Sequence, residues 1–239
     1  QRQIQGHDPP GDLPEQAGHR GGRHRLIDSG DCIVWSIHAS EPRLFLRNLH
    51  RIADRIDPKN PVELWSCVAR WGPEYPVHTD PSLKDKFHHQ TFFYDPNFWK
   101  IHPSGMSSYF PIHLHNYGQE LHRCKRPNVA VVCVSPMDEH GYCCVSCDLQ
   151  WEMESFYSAD KIIYEVNPPY PPTCLGDCAL PVAMADVIIE SDLSLYELQD
   201  PPNRGGGEGR GRVMPPRWST TGTASSWVSA ASPTPSGSN

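Results

Sequence analysis

Apolar residues in this chain of 239 residues occur in short continuous runs separated by segments with helical spacing. Runs of this length are typical of strands in a sheet that is covered on both faces. The predicted strands are 32–37, 63–68, 128–134, 161–166 and 186–190. The predicted helices are 41–56, 149–158 and 182–185. Because strands alternate with helices, the pattern predicts an α/β fold with an open, mostly parallel sheet and helices on both faces.

Composition divides the chain into three regions. Residues 1–25 are rich in Gly, His, Arg and Pro, and residues 199–239 are rich in Gly, Pro, Ser, Thr and Arg. Only residues 26–198 carry a regular apolar pattern. Since segments without apolar patterning cannot build a core, we predict one folded domain at 26–198 and disorder at both ends.

Charge and hydropathy exclude several classes of partner. The formal net charge is −7, so the chain has no general attraction for nucleic acid or anionic membranes. No stretch approaches the roughly 18 consecutive apolar residues that span a bilayer, and residues 1–25 lack the apolar core of a signal peptide. We therefore expect a soluble protein whose partners are small molecules or proteins, with no nucleic acid and no membrane.

The cysteines indicate a reducing compartment. There are nine, an odd number, and several lie inside apolar runs. A zinc site is the alternative, but neither 143–147 nor 174–178 combines a C-x-x-C pair with partner ligands at zinc-site spacing. We predict free thiols, a cytoplasmic location and no metal site.

Two loops directly follow predicted buried strands, where parallel sheets usually bind ligands. The first offers a charge at Asp138, a group that titrates near neutrality at His140, and backbone freedom at Gly141. The alternative is a polar turn in which Asp138 caps a helix and His140 is solvated, since a D-x-H-G string is short and common. The second loop, 167–173, begins with Asn167, which could hold a turn or a ligand, and its prolines predict a rigid wall.

Several longer stretches carry a family resemblance. They are LIDSGDCIV at 26–34, VSPMDEHGY at 134–142, SADKIIYEVNPPYP at 158–171 and ADVIIESD at 185–192. In this order they resemble the acetyl-CoA hydrolase/transferase family, which includes 4-hydroxybutyrate and butyrate CoA-transferases. The resemblance covers residues 26–198 and implies the amino-terminal domain of such an enzyme.

The resemblance implies a reaction and assigns different roles in it to two domains. A glutamate of a second domain attacks the acyl-CoA thioester, and coenzyme A then passes to a small carboxylic acid of the acetate, butyrate or 4-hydroxybutyrate type. Coenzyme A is thus a substrate, and no cofactor is permanently bound. The nucleophile is not in this chain, which we expect to be inactive alone and to pair with the second domain or form a homodimer. The candidates for the acyl and CoA pocket are Ser135, Asp138, His140, Gly141 and Asn167.

Two other functions stay open. An acyl-CoA hydrolase differs only in using water as the acceptor, and this half of the protein does not distinguish the two. A non-catalytic CoA-binding or interaction module belongs to a different class.

The tail departs from the family pattern in a specific way. Family members continue into a glycine loop close to LQLGIGGIPNAV, which is missing from residues 199–239. We read the codons of residues 224–236 in a shifted frame, joining the last base of each codon to the first two bases of the next. In this frame the codons permit the sequence of the family's glycine loop. The codons of Trp227 and Val228 together must then encode glycine. We therefore hypothesise a frameshift between 199 and 217, with a weaker case for residues 15–21. A natural Arg/Gly-rich extension at 204–212 that binds RNA is the alternative.

Overall fold

The computed structural model describes residues 16–19, 22–67, 74–94, 98–145, 147, 149, 152–172 and 176–195. Among these it describes the side chains from residue 26 onward, with the exception of Glu152. These residues belong to one unit, Gln1–Glu197, and the second unit, Leu198–Asn239, lies outside the described residues. The predicted disorder and frameshift at 199–239 therefore also lie outside them. Within 1–25, where disorder is predicted, β1 (Gln16–His19) and β2 (Gly22–Arg25) pair as an antiparallel hairpin.

Seven parallel strands form the main sheet. They are β3 (Cys32–Trp35), β4 (Val62–Ser66), β5 (Phe87–Thr91), β6 (Ser107–Tyr109), β7 (Val129–Val134), β9 (Lys161–Val166) and β11 (Val187–Glu190). Their order across the sheet is β11-β9-β7-β3-β4-β5-β6. A separate antiparallel pair joins β8 (Tyr142–Cys144) to β10 (Ala179–Pro181). The predicted α/β fold with a parallel sheet is confirmed.

The α-helices are short. They are α1 (Arg43–Asn48), α2 (Pro76–Thr79), α3 (Phe98–Ile101), α4 (Tyr117–Cys124) and α5 (Glu152–Ser158). Turns of 3₁₀ helix cover His38–Ser40, Leu49–Arg55, Pro81–Leu83, His102–Ser104, Leu114–Asn116 and Val182–Met184. The segment 41–56, predicted as one helix, is thus an α-helical turn that continues as 3₁₀ helix.

The core lies on both faces of the sheet. Every residue of β7 is fully buried, as a central strand with continuous apolar sequence requires. On one face, β3 and β7 pack against Phe45 and Leu46 of α1. On the other face they pack against Leu121 of α4 and Phe156 of α5. Because all seven strands run in the same direction, the loops that follow them meet at a single carboxyl edge.

Candidate functional site

The loop after β7 is held in shape by one of its own carboxylates. One Asp138 oxygen, Oδ1, accepts the backbone N–H groups of His140 at 2.9 Å and Tyr142 at 2.8 Å. These hydrogen bonds, led by that from Tyr142, keep the pKa of the Asp138 carboxyl below its ordinary value. Gly141 has a φ of 86°, a conformation that favours glycine. Asp138 therefore closes a polar turn and caps no helix.

Ser135 has its hydroxyl fully engaged within the domain. Its side chain is buried, donates to the carbonyl of Pro136 at 3.1 Å and accepts the backbone N–H of Cys144 at 3.0 Å. The bond to Cys144 fixes the end of β7 against β8. Ser135 thus shapes the edge on which the loop stands.

The tip of this loop reaches solvent. The His140 side chain is 68% exposed, and its Nε2 lies 3.5 Å from a carboxylate oxygen of Glu139. Met137 beside them is also exposed. In this loop, therefore, His140 and its neighbours can meet a ligand, whereas Ser135 and Asp138 are occupied with the turn.

Asn167 begins the loop after β9 and adjoins Ser135. Val134 and Val166, which precede the two residues, are partners in the sheet, and the Asn167 N–H donates to the carbonyl of Val134 at 2.9 Å. Its side chain is buried, and Nδ2 donates to the carbonyl of Leu193 at 2.8 Å. The fold thus brings the two predicted loops side by side, and Asn167 links the end of the sheet to the segment that follows β11.

The proline-rich loop after β9 is tied to its neighbours by Tyr170. The Tyr170 hydroxyl lies 2.5 Å from the Ser40 hydroxyl and accepts the backbone N–H of Cys147 at 3.1 Å. Tyr170 is buried, and burial raises the pKa of its phenol. One side chain therefore joins three loops, and the predicted rigidity of the proline-rich loop stays a prediction.

Glu165 is a functional candidate that the sequence analysis missed. It is fully buried in β9, and its two carboxylate oxygens accept the backbone N–H groups of Leu44 at 3.0 Å and Phe45 at 2.9 Å. Burial raises the pKa of this carboxyl to about 7, although the hydrogen bonds from Phe45 and Leu44 oppose the shift. A charged residue inside the apolar run 161–166 was the available signal.

No group of three or more His, Cys, Asp or Glu residues in the described part of the chain could hold a metal ion. Cys174 of the cysteine clusters lies outside the described residues. The predicted absence of a metal site therefore stays a prediction. Within the same described residues, no helix has the length and apolar character needed to cross a membrane.

Comparison with known families identifies the domain. The sequence model of the acetyl-CoA hydrolase/transferase N-terminal domain matches residues 23–195, which is most of the chain and includes both loops. The chain belongs to the acetyl-CoA hydrolase/transferase family. The family predicted from the sequence motifs is thereby confirmed.

Two similar proteins are named as CoA-transferases. One is the succinyl-CoA:cyclohexane-1-carboxylate CoA transferase of Geobacter metallireducens, 31% identical over 180 residues. The other is the 4-hydroxybutyrate coenzyme A transferase of Clostridium kluyveri, 30% identical over 141 residues. The matches cover 74% and 59% of this chain, but only 39% and 32% of the two relatives. The chain thus spans well under half the length of these relatives.

Several solved structures share this fold. RipA from Yersinia pestis superposes with a TM-score of 0.65 at 22% identity over 72% of this chain and 41% of RipA. The 4-hydroxybutyrate CoA-transferase from Porphyromonas gingivalis gives a TM-score of 0.55 at 22% identity, covering 72% of this chain and 38% of that one. At this identity the likeness establishes the fold.

Proposed function

We propose that this chain is the amino-terminal part of a CoA-transferase that moves coenzyme A between an acyl-CoA and a small carboxylate of the acetate, butyrate or 4-hydroxybutyrate type. The observation that carries the proposal is the adjacency of the loops after β7 and β9 at the carboxyl edge of a domain that matches the family. Both similar relatives bear CoA-transferase names. Coenzyme A is a substrate in this proposal, with no permanently bound cofactor.

The five predicted site residues divide into two roles in this proposal. Ser135, Asp138 and Asn167 shape the pocket wall, since their side chains bond to the domain's own backbone. His140 and the backbone at Gly141 face the ligand, because the loop tip is exposed. An imidazole there can donate to a phosphate or carbonyl oxygen of acyl-CoA. The attacking glutamate belongs to the second domain, so the chain alone is inactive.

An exposed aromatic surface supports pairing with another protein part. We define it as Phe93, Tyr94, Trp99 and Tyr109, which lie at and beyond the carboxyl ends of β5 and β6. Trp99 is 56% exposed and Phe93 is 49% exposed, and the Tyr94 ring centroid lies 5.2 Å from that of Tyr109. Clustered exposed aromatics mark interaction sites. We propose that a second domain covers this surface, and sedimentation of the chain as a dimer would favour a homodimer.

Saturation-transfer NMR with coenzyme A and acetyl-CoA tests the pocket on the full chain. We expect transfer to the ligand and at least a fivefold weaker affinity for His140→Ala. His115→Ala is the matched control, because His115 is exposed at the other end of the carboxyl edge, after β6. An absence of saturation transfer to the ligand, or an equal loss of affinity in both variants, would contradict the proposed pocket.

A turnover assay tests the proposed inactivity. Incubation of the chain with acetyl-CoA and butyrate should produce no butyryl-CoA by mass spectrometry. Formation of butyryl-CoA would show that the nucleophile lies in this chain, and release of free coenzyme A would favour a hydrolase. We also propose a cytoplasmic location, since every described cysteine is a free thiol.

A further inference from the structure

The segment that follows β11 crosses the carboxyl edge of the sheet. Ser191 is buried and donates its N–H to the carbonyl of Val166 at 2.9 Å, which brings the segment next to the end of β9. The family match ends at residue 195. Residues 191–195 are therefore the path by which the chain leaves the matched domain, and we call them the exit segment.

One side chain of the candidate site, at the end of β9, binds the exit segment. Asn167 Nδ2 donates to the Leu193 carbonyl at 2.8 Å. A carbonyl oxygen can only accept, so the Asn167 amide has a single workable orientation, with Nδ2 toward Leu193. The buried position of Asn167 makes this bond costly to lose, because the Leu193 carbonyl would need another donor.

A second side chain holds the exit segment from the α1 side. Arg43 Nη1 donates to the Ser194 carbonyl and lies 3.5 Å from the Ser194 hydroxyl. Arg43 is itself fixed, because it begins α1, whose next two N–H groups bind the Glu165 carboxylate. Its Nη2 also lies 3.6 Å from Glu74.

The two holding groups thus come from parts of the chain that are far apart in sequence. Arg43 follows β3 and Asn167 follows β9, while the exit segment follows β11. Two consecutive backbone carbonyls, those of Leu193 and Ser194, are bound at once. All seven strands of the sheet end before the exit segment begins, so these two bonds add no strand pairing.

We infer that Arg43 and Asn167 are positioning residues that set the point and direction from which the chain leaves the domain above the carboxyl edge. We call the pair the exit clamp. The inference rests on the proposed function, in which the reacting glutamate lies in the part that follows in full-length relatives. The clamp then fixes the start of the connection to that part relative to the loop 135–142. Displacements of about 1 Å can cost on the order of a hundredfold in rate, so a fixed exit has a direct catalytic use.

Pulsed dipolar spectroscopy on the full chain tests the clamp. Spin labels are attached to unnatural, ketone-bearing amino acids. These replace Glu139 in the loop tip and Leu195 at the end of the exit segment. Thiol labelling is unsuitable, because the chain has nine cysteines. We expect one narrow distance distribution in the parent chain. Asn167→Ala and Arg43→Ala should each broaden it at least twofold, and the double variant should broaden it further.

Two matched controls separate positioning from general damage. Asn48 is also buried and donates Nδ2 to a backbone carbonyl, that of Leu44 at 2.9 Å. Arg126 also donates to a carbonyl, that of Ser158 at 2.9 Å, but at the opposite edge. Asn48→Ala and Arg126→Ala should leave the distance distribution narrow, even where they lower the melting temperature.

Hydrogen exchange supplies a second readout that needs no label. Amides of the exit segment should exchange at least tenfold faster in Asn167→Ala and Arg43→Ala, with β7 amides unchanged. A distribution that is as narrow in the double variant as in the parent, or already broad in the parent, would overturn the clamp. Neither measurement uses coenzyme A, so failure of the clamp is distinguishable from failure of CoA binding.

Discussion

The two edges of the parallel sheet use their polar residues differently. At the amino edge, Asn128 Nδ2 donates to Asp31 Oδ1 at 2.7 Å, and Lys161 Nζ lies 3.0 Å from Asp31 Oδ2. Asn128 Oδ1 in turn accepts the Cys32 N–H at 2.7 Å. This network ties together the starts of β3, β7 and β9.

At the carboxyl edge, polar residues hold loops instead of strand ends. Asp138 closes a turn, Tyr170 joins three loops, and Asn167 binds the exit segment. His140 is left exposed at the loop tip. The amino-edge network therefore joins strands to one another, whereas the bonds at the carboxyl edge set the shape of loops.

The largest effect is expected at the amino edge. Asp31→Ala removes the acceptor of the half-buried Asn128 amide and of the Asp28 N–H, and it leaves Lys161 with only the more distant Asp28 carboxylate and the Leu26 carbonyl. We expect a loss of about 2–4 kcal/mol in the free energy of unfolding, measured in urea. Asp160→Ala, at the same edge but in the exposed pair with Arg126, should cost about 0–1 kcal/mol. Equal losses in the two variants would contradict the comparison.

Two buried histidines, which lie between the two edges of the sheet, should lower the stability of the protein in acid. His78 and His89 have ring centroids 4.8 Å apart, and burial lowers the pKa of His78 to about 3 and that of His89 well below its ordinary value. A depressed histidine pKa means that the unfolded chain binds the proton more tightly, so stability falls as the pH drops below about 6.5. His78 alone should cost about 2–3 kcal/mol by about pH 4.5.

Urea unfolding at several pH values checks this contribution. Below about pH 6.5, the free energy of unfolding should depend less steeply on pH in His78→Phe. The slope should fall by the amount that corresponds to the uptake of about one proton on unfolding. An unchanged slope would show that His78 is protonated in the folded state at acid pH.

Glu165 should give the opposite pH dependence. Its folded pKa of about 7 is raised above the unfolded value, so the folded state holds the proton more tightly. The favourable contribution is present at low pH and is lost as the pH rises from about 4.5 to about 7. Relative to Glu165→Gln, the parent chain should lose about 2–3 kcal/mol between about pH 5 and about pH 8. A constant difference across this range would mean that Glu165 is ionised throughout.

The smallest effect on stability is expected at the exposed loop tip. His140→Ala should change the free energy of unfolding by less than about 0.5 kcal/mol, because surface substitutions without buried partners rarely do more. The same variant is expected to weaken coenzyme A binding. A stability loss comparable to that of Asp31→Ala would remove the distinction between the two edges.

Apolar periodicity predicted some strands and missed others. The runs at β7 and β9 were found within one residue of their observed bounds, because these central strands are apolar on both faces. β5, with the sequence FHHQT, was not predicted, although Phe87, His89 and Thr91 are buried. Its histidines and glutamine give no apolar run, and only burial against neighbouring strands makes it part of the core.

The sequence identified two neighbouring loops but not the partners of their side chains. The two loops with Ser135, Asp138, His140, Gly141 and Asn167 do lie together at the carboxyl edge, which follows from the direction of parallel strands. Their ligand-binding roles stay predictions. Spacing alone does not show that Ser135 and Asn167 are occupied by backbone groups, since their partners depend on loop conformation and on the exit segment.

The sequence by itself determined the family and the fold class, because these depend on local patterns and ordered motifs. The tertiary structure decided what the individual polar groups do. Glu165 binds N–H groups 120 and 121 residues away, and Arg43 binds a carbonyl 151 residues away. Such bonds exist only after the sheet has assembled, because strand order, and not sequence distance, brings the ends of β3, β9 and β11 to one place.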